Sequence, residues 1–222
     1  MNKIELLFIN TLSGGMMKVH GQGQARILSL SEVTAIFDEL SLRDRTVFAF
    51  CLYAGCRISE AASIRMEDVS LGDRLLLIPS NHSKNRQSRT IPVNQELSAM
   101  VKEYLLATGV RRGFMFPHCY EKGYEKGYLC RTTLHYSLQR ACNKLKIRGV
   151  STHSFRRTCL TTMSNAGVPL HVIQAISGHS TLSALQKYLG VQPNQLFSAI
   201  DTISMKSSPS PSDSAFSGKF GF

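Results

Sequence analysis

"HSFRRTCLTTMSNAGVPLHVIQAISGHSTLSALQKYLG", His153–Gly190, decides the fold because its punctuation divides it into three helices. Thr152 stands as an N-cap before residues 153–166, and Gly167 follows as a terminator. Pro169 opens a second helix at the first-turn position that proline tolerates, Gly178 closes it, and Tyr188 falls on a third. The stretch carries His153, Arg156, Arg157, His179 and Tyr188 but neither Asp nor Glu. Residues i and i+3 share a helix face, so His153 and Arg156 point together while Arg157 turns away. A guanidinium is a fixed fork of donors suited to phosphate oxygens, and an imidazole exchanges protons near neutral pH.

Upstream, the periodicity is again helical. Ser29 and Glu32 form a capping box before Val33, Ile36, Phe37 and Leu40. "RDRTVFAFCLYAG" continues as helix to Gly55, a left-handed C-cap, and "SEAASI" reads as a short helix opened by Ser59, which leaves Arg57 in the joint between the two. "DRLLLIPS" and "SRTIPV" are β-prone runs separated by the polar "NHSKNRQ", a hairpin with Lys84 at its tip and Arg86 and Arg89 as its basic neighbours. "NQELSAMVKEYLLATG" predicts a helix capped by Asn94, with Leu97, Met100, Val101, Tyr104 and Leu105 on one face and Gly109 at its end. "TLHYSLQRACNKLKI" repeats the pattern with Leu134, Leu138, Ala141 and Leu145 inward. The fold class is mainly α with a small antiparallel β-hairpin or sheet.

Flanking composition bounds the domain. Residues 1–24 read as a leader and a Gly-rich linker, 25–203 as the folded domain, and 204–222 as a Ser/Pro-rich disordered tail. Near its end, Leu196, Phe197, Ile200 and Ile203 make an apolar stripe at helical spacing. The 222 residues hold 26 Lys and Arg against 15 Asp and Glu, a formal charge of +11, which points to a polyanion and first of all to nucleic acid. No apolar run approaches the ~20 residues a membrane span needs. The six cysteines, Cys51, Cys56, Cys119, Cys130, Cys142 and Cys159, contain no C-x-x-C pair or zinc spacing and read as reduced cytosolic thiols, with Cys51 and Cys159 as small buried hydrophobes.

The ordered set resembles the tyrosine recombinases, or phage integrases. "GCRISEAASIRMEDV" is similar to the family's first arginine motif, which implies a catalytic Arg57 with Glu60 as its structural companion. "SKNRQSRTIPV" is similar to the hairpin that carries the catalytic lysine, here Lys84. "HSFRRT" matches the His-x-x-Arg box at His153 and Arg156, "SGHS" matches the Leu-Gly-His box at His179 with Ser177 in place of the usual Leu, and Tyr188 stands where the nucleophile belongs. The likeness covers about residues 25 to 200. It does not include the N-terminal core-binding domain most family members carry, and the short form is similar to the minimal recombinases that flip fimbrial promoters.

What the resemblance implies is a site-specific DNA recombinase or integrase that cleaves and rejoins double-stranded DNA through a 3′-phosphotyrosyl link. Tyr188 attacks phosphorus, Arg57, Arg156 and His179 meet the equatorial charge, Lys84 protonates the leaving 5′-oxygen and His153 takes the tyrosine proton. The expectation is no metal and no cofactor, self-association as dimer or tetramer on DNA, an accessory DNA-binding protein, and a cytoplasmic, nucleoid-associated location. A type-I topoisomerase uses the same transesterification. A DNA-binding regulator on the same fold is the alternative from another class, and it has no physical need for all six groups.

Overall fold

The computed structural model describes residues 25–80, 87–118, 127–186, 189 and 200. Lys84, Cys119, Tyr188, Leu196, Phe197 and Ile203 lie outside them. The chain divides into two compact units, Met1–Gly190 and Val191–Phe222. In the second, only Ile200 is described, a helical residue that is 69% exposed.

In the first unit the described elements are α1 (Leu30–Glu39), α2 (Leu42–Tyr53), α3 (Ile58–Ala62), a 3₁₀ turn (Met66–Asp68), β1 (Val69–Ser70), β2 (Leu75–Ile78), β3 (Arg89–Pro92), α4 (Gln95–Thr108), α5 (Arg131–Lys144), α6 (Ser154–Asn165), α7 (Leu170–Ser177) and α8 (Leu182–Gln186). The capping box at Ser29 and Glu32 opens α1 as expected, and Asn94 caps α4 by accepting from the Leu97 amide. Three helix starts differ from expectation. Arg57, not Ser59, is the N-cap of α3, because Glu60 at the third helical position accepts from the Arg57 amide. His153 rather than Thr152 precedes α6, since the Ser154 hydroxyl turns back to the Ser151 amide and delays the helix by one residue. Pro169 sits just before α7 as its cap, with its carbonyl accepting from Val172 and Ile173.

The small sheet is antiparallel in the order β1-β2-β3, with Leu76 opposite Ile91 and Ile78 opposite Arg89. Its short first strand, paired through Val69 and Leu76, is an addition to the expected hairpin. Two residues are too few to show an alternating pattern in a sequence. One sheet face buries Leu76, Ile78 and Ile91, and Leu75 and Leu77 face out.

The core forms where α2 packs between α4 and α6. Val47, Phe48, Ala49, Phe50 and Cys51 on α2 are all fully buried, so this helix is apolar around its circumference and occupies the centre. Phe155 of α6 stacks on Phe37 at 5.4 Å and tilts against Phe48 at 4.9 Å. Aromatic pairs of this kind add about 0.5–1.5 kcal/mol beyond their burial. The Thr158 hydroxyl accepts from the Leu28 amide, and Arg157 donates to the Ala25 carbonyl, so α6 ties down the entry to the domain. A second cluster of Leu160, Ile173 and Leu185 locks α6, α7 and α8 together, with Leu189 packed on it. No helix among the described residues is long and apolar enough to cross a membrane.

Candidate active site

The C-terminus of α7 organises the site. A helix ends with carbonyl oxygens that lack intrahelical partners and with a partial negative charge, which favours cations there. Here three arginines from distant parts of the chain meet that need. Arg89 of β3 donates from Nε to the Ile176 carbonyl at 2.9 Å, Arg156 from Nη2 to the Ser177 carbonyl at 2.8 Å, and Arg57 from Nη2 to the Gly178 carbonyl at 3.0 Å. Gly178 terminates α7 with φ +65°, and a β-carbon on it would lie 2.9 Å from Arg89 Nη1. Only glycine therefore permits both the left-handed turn and the close approach of the guanidinium.

Glu60 anchors the arginines from behind. Its carboxylate accepts from Arg57 Nη1 at 2.8 Å and from both terminal nitrogens of Arg89 at 3.2 and 2.7 Å, and Arg156 Nη1 lies 3.9 Å away. Arg156, the largest fully buried side chain among the described residues, also donates from Nη1 to the Gly55 carbonyl. Burial alone pushes the Glu60 carboxyl up, but the Arg89 hydrogen bond and charge, with Arg57 behind them, outweigh it and hold the group below its ordinary value. A bare carboxylate beside a phosphate would repel it. The structure admits one because it is fully surrounded by the guanidinium groups and three positive charges still exceed its one.

His179 closes the front. Its Nδ1 lies 2.8 Å from the Ser177 hydroxyl and its Nε2 3.4 Å from Arg156 Nη2. Burial first, then the charges of Arg156, Arg57 and Arg89, lower its pKa from 6.5 to about 4, against the opposing pull of Glu60. An open groove of about 370 Å³ runs beside it, bounded by Gln87, Arg89, His171 and Gln174. Arg57 is 19% exposed, and two of its five N–H donors are engaged by Glu60 and Gly178, so the fork retains donors for a ligand.

The structure thus brings together Arg57, Arg156 and His179 of the six expected residues. His153, half-buried, immediately precedes α6 and lies three residues before Arg156. Lys84 and Tyr188 lie outside the described residues. Arg89, in the sequence a basic neighbour of Lys84, is engaged by Glu60 and Ile176 and belongs to the framework. Strand alternation contains the signal: Arg89 shares the inward face with Ile91, and a cation on a core face requires a buried partner. The thiols of Cys56 and Cys159 are pushed up by burial to about 12 and about 11 and so stay protonated beside the site.

The depressed His179 value predicts that the ring is neutral at pH 7, and that Arg57→Met raises its pKa by removing one repelling charge; a histidine NMR titration reads both. Acid acts in one direction on this cluster. Between pH 6.5 and about 4 the unfolded chain takes up a proton that folded His179 refuses, so stability falls with falling pH there. Glu60 then withdraws its own contribution as pH drops through its lowered folded value.

The phage integrase family matches residues 24–195, and the chain belongs to that family. It is 29% identical over 160 residues to tyrosine recombinase XerA of Pyrococcus furiosus, across 72% of this chain and 54% of that protein. It is 26% identical over 187 residues to tyrosine recombinase XerC of Syntrophus aciditrophicus, across 79% of this chain and 59% of that protein. The chain therefore spans little more than half the length of these curated relatives. In fold it is similar to XerA recombinase, with TM-score 0.65 and 19% identity over 82% of this chain and 66% of the other. It is likewise similar to the Tn1549 transposon integrase in complex with a circular intermediate DNA, with TM-score 0.66 and 15% identity over 81% of this chain and 66% of the other.

Proposed function

We propose that this chain is the catalytic domain of a site-specific recombinase that cleaves and rejoins double-stranded DNA by transesterification. The observation that carries the reading is the cluster of Arg57, Arg156 and His179 at one helix end, held by Glu60 and Arg89 and cationic overall. Tyr188 Oη attacks the scissile phosphorus, the bond to the 5′-oxygen breaks, and a 3′-phosphotyrosyl link remains. His153 accepts the tyrosine proton and Lys84 donates one to the departing 5′-oxygen. The charge that gathers on the non-bridging oxygens meets donors already fixed in place, which is the electrostatic work a divalent ion performs in other phosphoryl-transfer enzymes. Membership of the phage integrase family and the DNA-bound state of the Tn1549 integrase support this reading. Residues 25–203 form the catalytic unit, the protein self-associates on paired DNA sites, and an accessory DNA-binding protein assists it.

The test is incubation with nicked duplex DNA from the gene's own neighbourhood in excess chelator. A protein–DNA adduct that survives denaturant supports the proposal, and binding without any adduct favours a regulator. DNA affinity should also fall steeply with salt, because a chain of charge +11 binds chiefly through phosphates. With about 6–10 phosphate contacts the loss between 50 and 200 mM salt is about 10³–10⁵-fold. A flat dependence in a binding titration would show that contacts other than phosphate dominate.

A further inference from the structure

Ser177 has no role in the strand-transfer scheme above, yet it is fully buried and its hydroxyl reaches the ring of His179. The directions of the hydrogen bonds follow from what each group is able to donate. Arginine has no acceptor, so in the 3.4 Å contact between Arg156 Nη2 and His179 Nε2 the guanidinium donates and Nε2 accepts. A neutral imidazole with its lone pair on Nε2 bears its proton on Nδ1, and that N–H donates to Ser177 Oγ at 2.8 Å. The serine hydroxyl passes its own hydrogen to the Gln174 carbonyl at 3.3 Å, inside the last turn of α7. Gln174 in turn donates from its side chain to the His179 carbonyl, which fixes the backbone of the same residue.

We propose that Ser177 is a positioning residue that holds the His179 proton on Nδ1, so that Nε2 is the atom that exchanges a proton with a bound phosphoryl group. The proposal rests on the strand-transfer reading for its second half only. Around the ring stand Arg156 from α6, Arg57 from the joint before α3, Arg89 from β3 and Glu60 from α3, with His171 and Gln174 of α7 along the adjoining groove. A phosphate anion entering this group offsets the guanidinium charges and favours the imidazolium. With Nδ1–H already satisfied by Ser177, the ring takes up a proton from solvent at Nε2, shares it with a non-bridging phosphoryl oxygen as charge gathers there, and takes it back when the diester forms, without turning over. An apolar side chain at position 177 offers Nδ1 no such acceptor. Loss of the Ser177 acceptor removes the contact that favours Nδ1–H, and the proton moves toward Nε2, where it opposes the Arg156 donor.

The experiment uses the full chain with ¹⁵N-labelled histidine and compares wild type, Ser177→Ala and Ser177→Thr. In the DNA-free protein, long-range ¹H–¹⁵N spectra assign the tautomer of each ring. The expected result is Nδ1–H for His179 in wild type and Ser177→Thr, and a shift to Nε2–H in Ser177→Ala. Adduct formation on nicked DNA is expected to slow by about 10-fold or more in Ser177→Ala with DNA binding unchanged, and to recover in Ser177→Thr. An Nε2–H wild type, or the same tautomer in wild type and Ser177→Ala, overturns the positioning role whatever the cleavage assay gives. A tautomer shift with an unchanged adduct rate overturns proton exchange at Nε2. Absence of any adduct in wild type overturns the strand-transfer reading and this second half, while the tautomer result stands by itself.

Discussion

Tyr188→Phe is expected to abolish the covalent protein–DNA adduct and to leave DNA binding as it is in the wild type. The substitution removes one oxygen, the atom that would bond to phosphorus, and no other group in the proposed site supplies a nucleophile that would leave a stable link. The groups that would hold the phosphate are fixed independently of it. Arg57 is held by Glu60 and the Gly178 carbonyl, and Arg156 by the carbonyls of Gly55 and Ser177. The ring of His179 lies against Ser177 and Arg156. A denaturing gel and a mobility-shift titration on the same nicked duplex separate the two effects. The loss should exceed the ~10²-fold typical of deleting a single stabilising donor, because what disappears is the bond-forming atom itself. An adduct that persists in Tyr188→Phe would reassign the nucleophile.

Much of this was legible in the chain, for identifiable reasons. Helices α1, α4 and α5 announce themselves because one face of each meets the core and the other meets water, so the period of 3.6 survives in the sequence. The central helix α2 shows no such contrast, and only its end is marked, by Gly55. Arg156 and His179 stand out because His-x-x-Arg and Gly-His follow one another in a restrictive order, and Arg57 enters through the resemblance of "GCRISEAASIRMEDV" to the family's first arginine motif. The parts that escaped are those defined only by long-range contact. Glu60 was visible as a partner of Arg57 three residues away, but its grip on Arg89 spans the whole hairpin. The bond from the Arg57 side chain to the Gly178 carbonyl crosses more than half of the chain, and no local pattern encodes such pairings. Ser177 was read as a mild departure from a motif, since a sequence does not show that its hydroxyl is buried against an imidazole. The helix starts moved by a residue or two because capping depends on side-chain geometry, which the residue type alone does not fix.

Glu60→Gln is expected to be strongly destabilising for a single-atom exchange. The change keeps the shape of the side chain and deletes the carboxylate charge shared by Arg57, Arg89 and Arg156, all of which lie within 3.9 Å of it. Removing one partner of a buried ion pair typically costs about 3–5 kcal/mol, since the charges left behind lose their counterion. Thermal scaling for a chain of this size gives about 2–4 °C per kcal/mol, so the melting temperature should fall by about 6–20 °C. The exposed pair of Arg45 and Glu103, at 3.1 Å, is the internal control, and Glu103→Gln should change stability by no more than about 1 kcal/mol. Activity should fall with stability, and for a related reason. Arg57 loses the carboxylate that orients its fork, and a misplacement of about 1 Å in a phosphate clamp costs on the order of 10²-fold. The sign of the pH effect makes the assignment specific. Wild-type stability declines as acid titrates Glu60 through its lowered value, whereas the amide has no proton to take up, so the variant's acid decline should be shallower although its starting stability is lower. A Glu60→Gln protein that melts within about 2 °C of wild type would mean that backbone carbonyls suffice to hold the three guanidiniums.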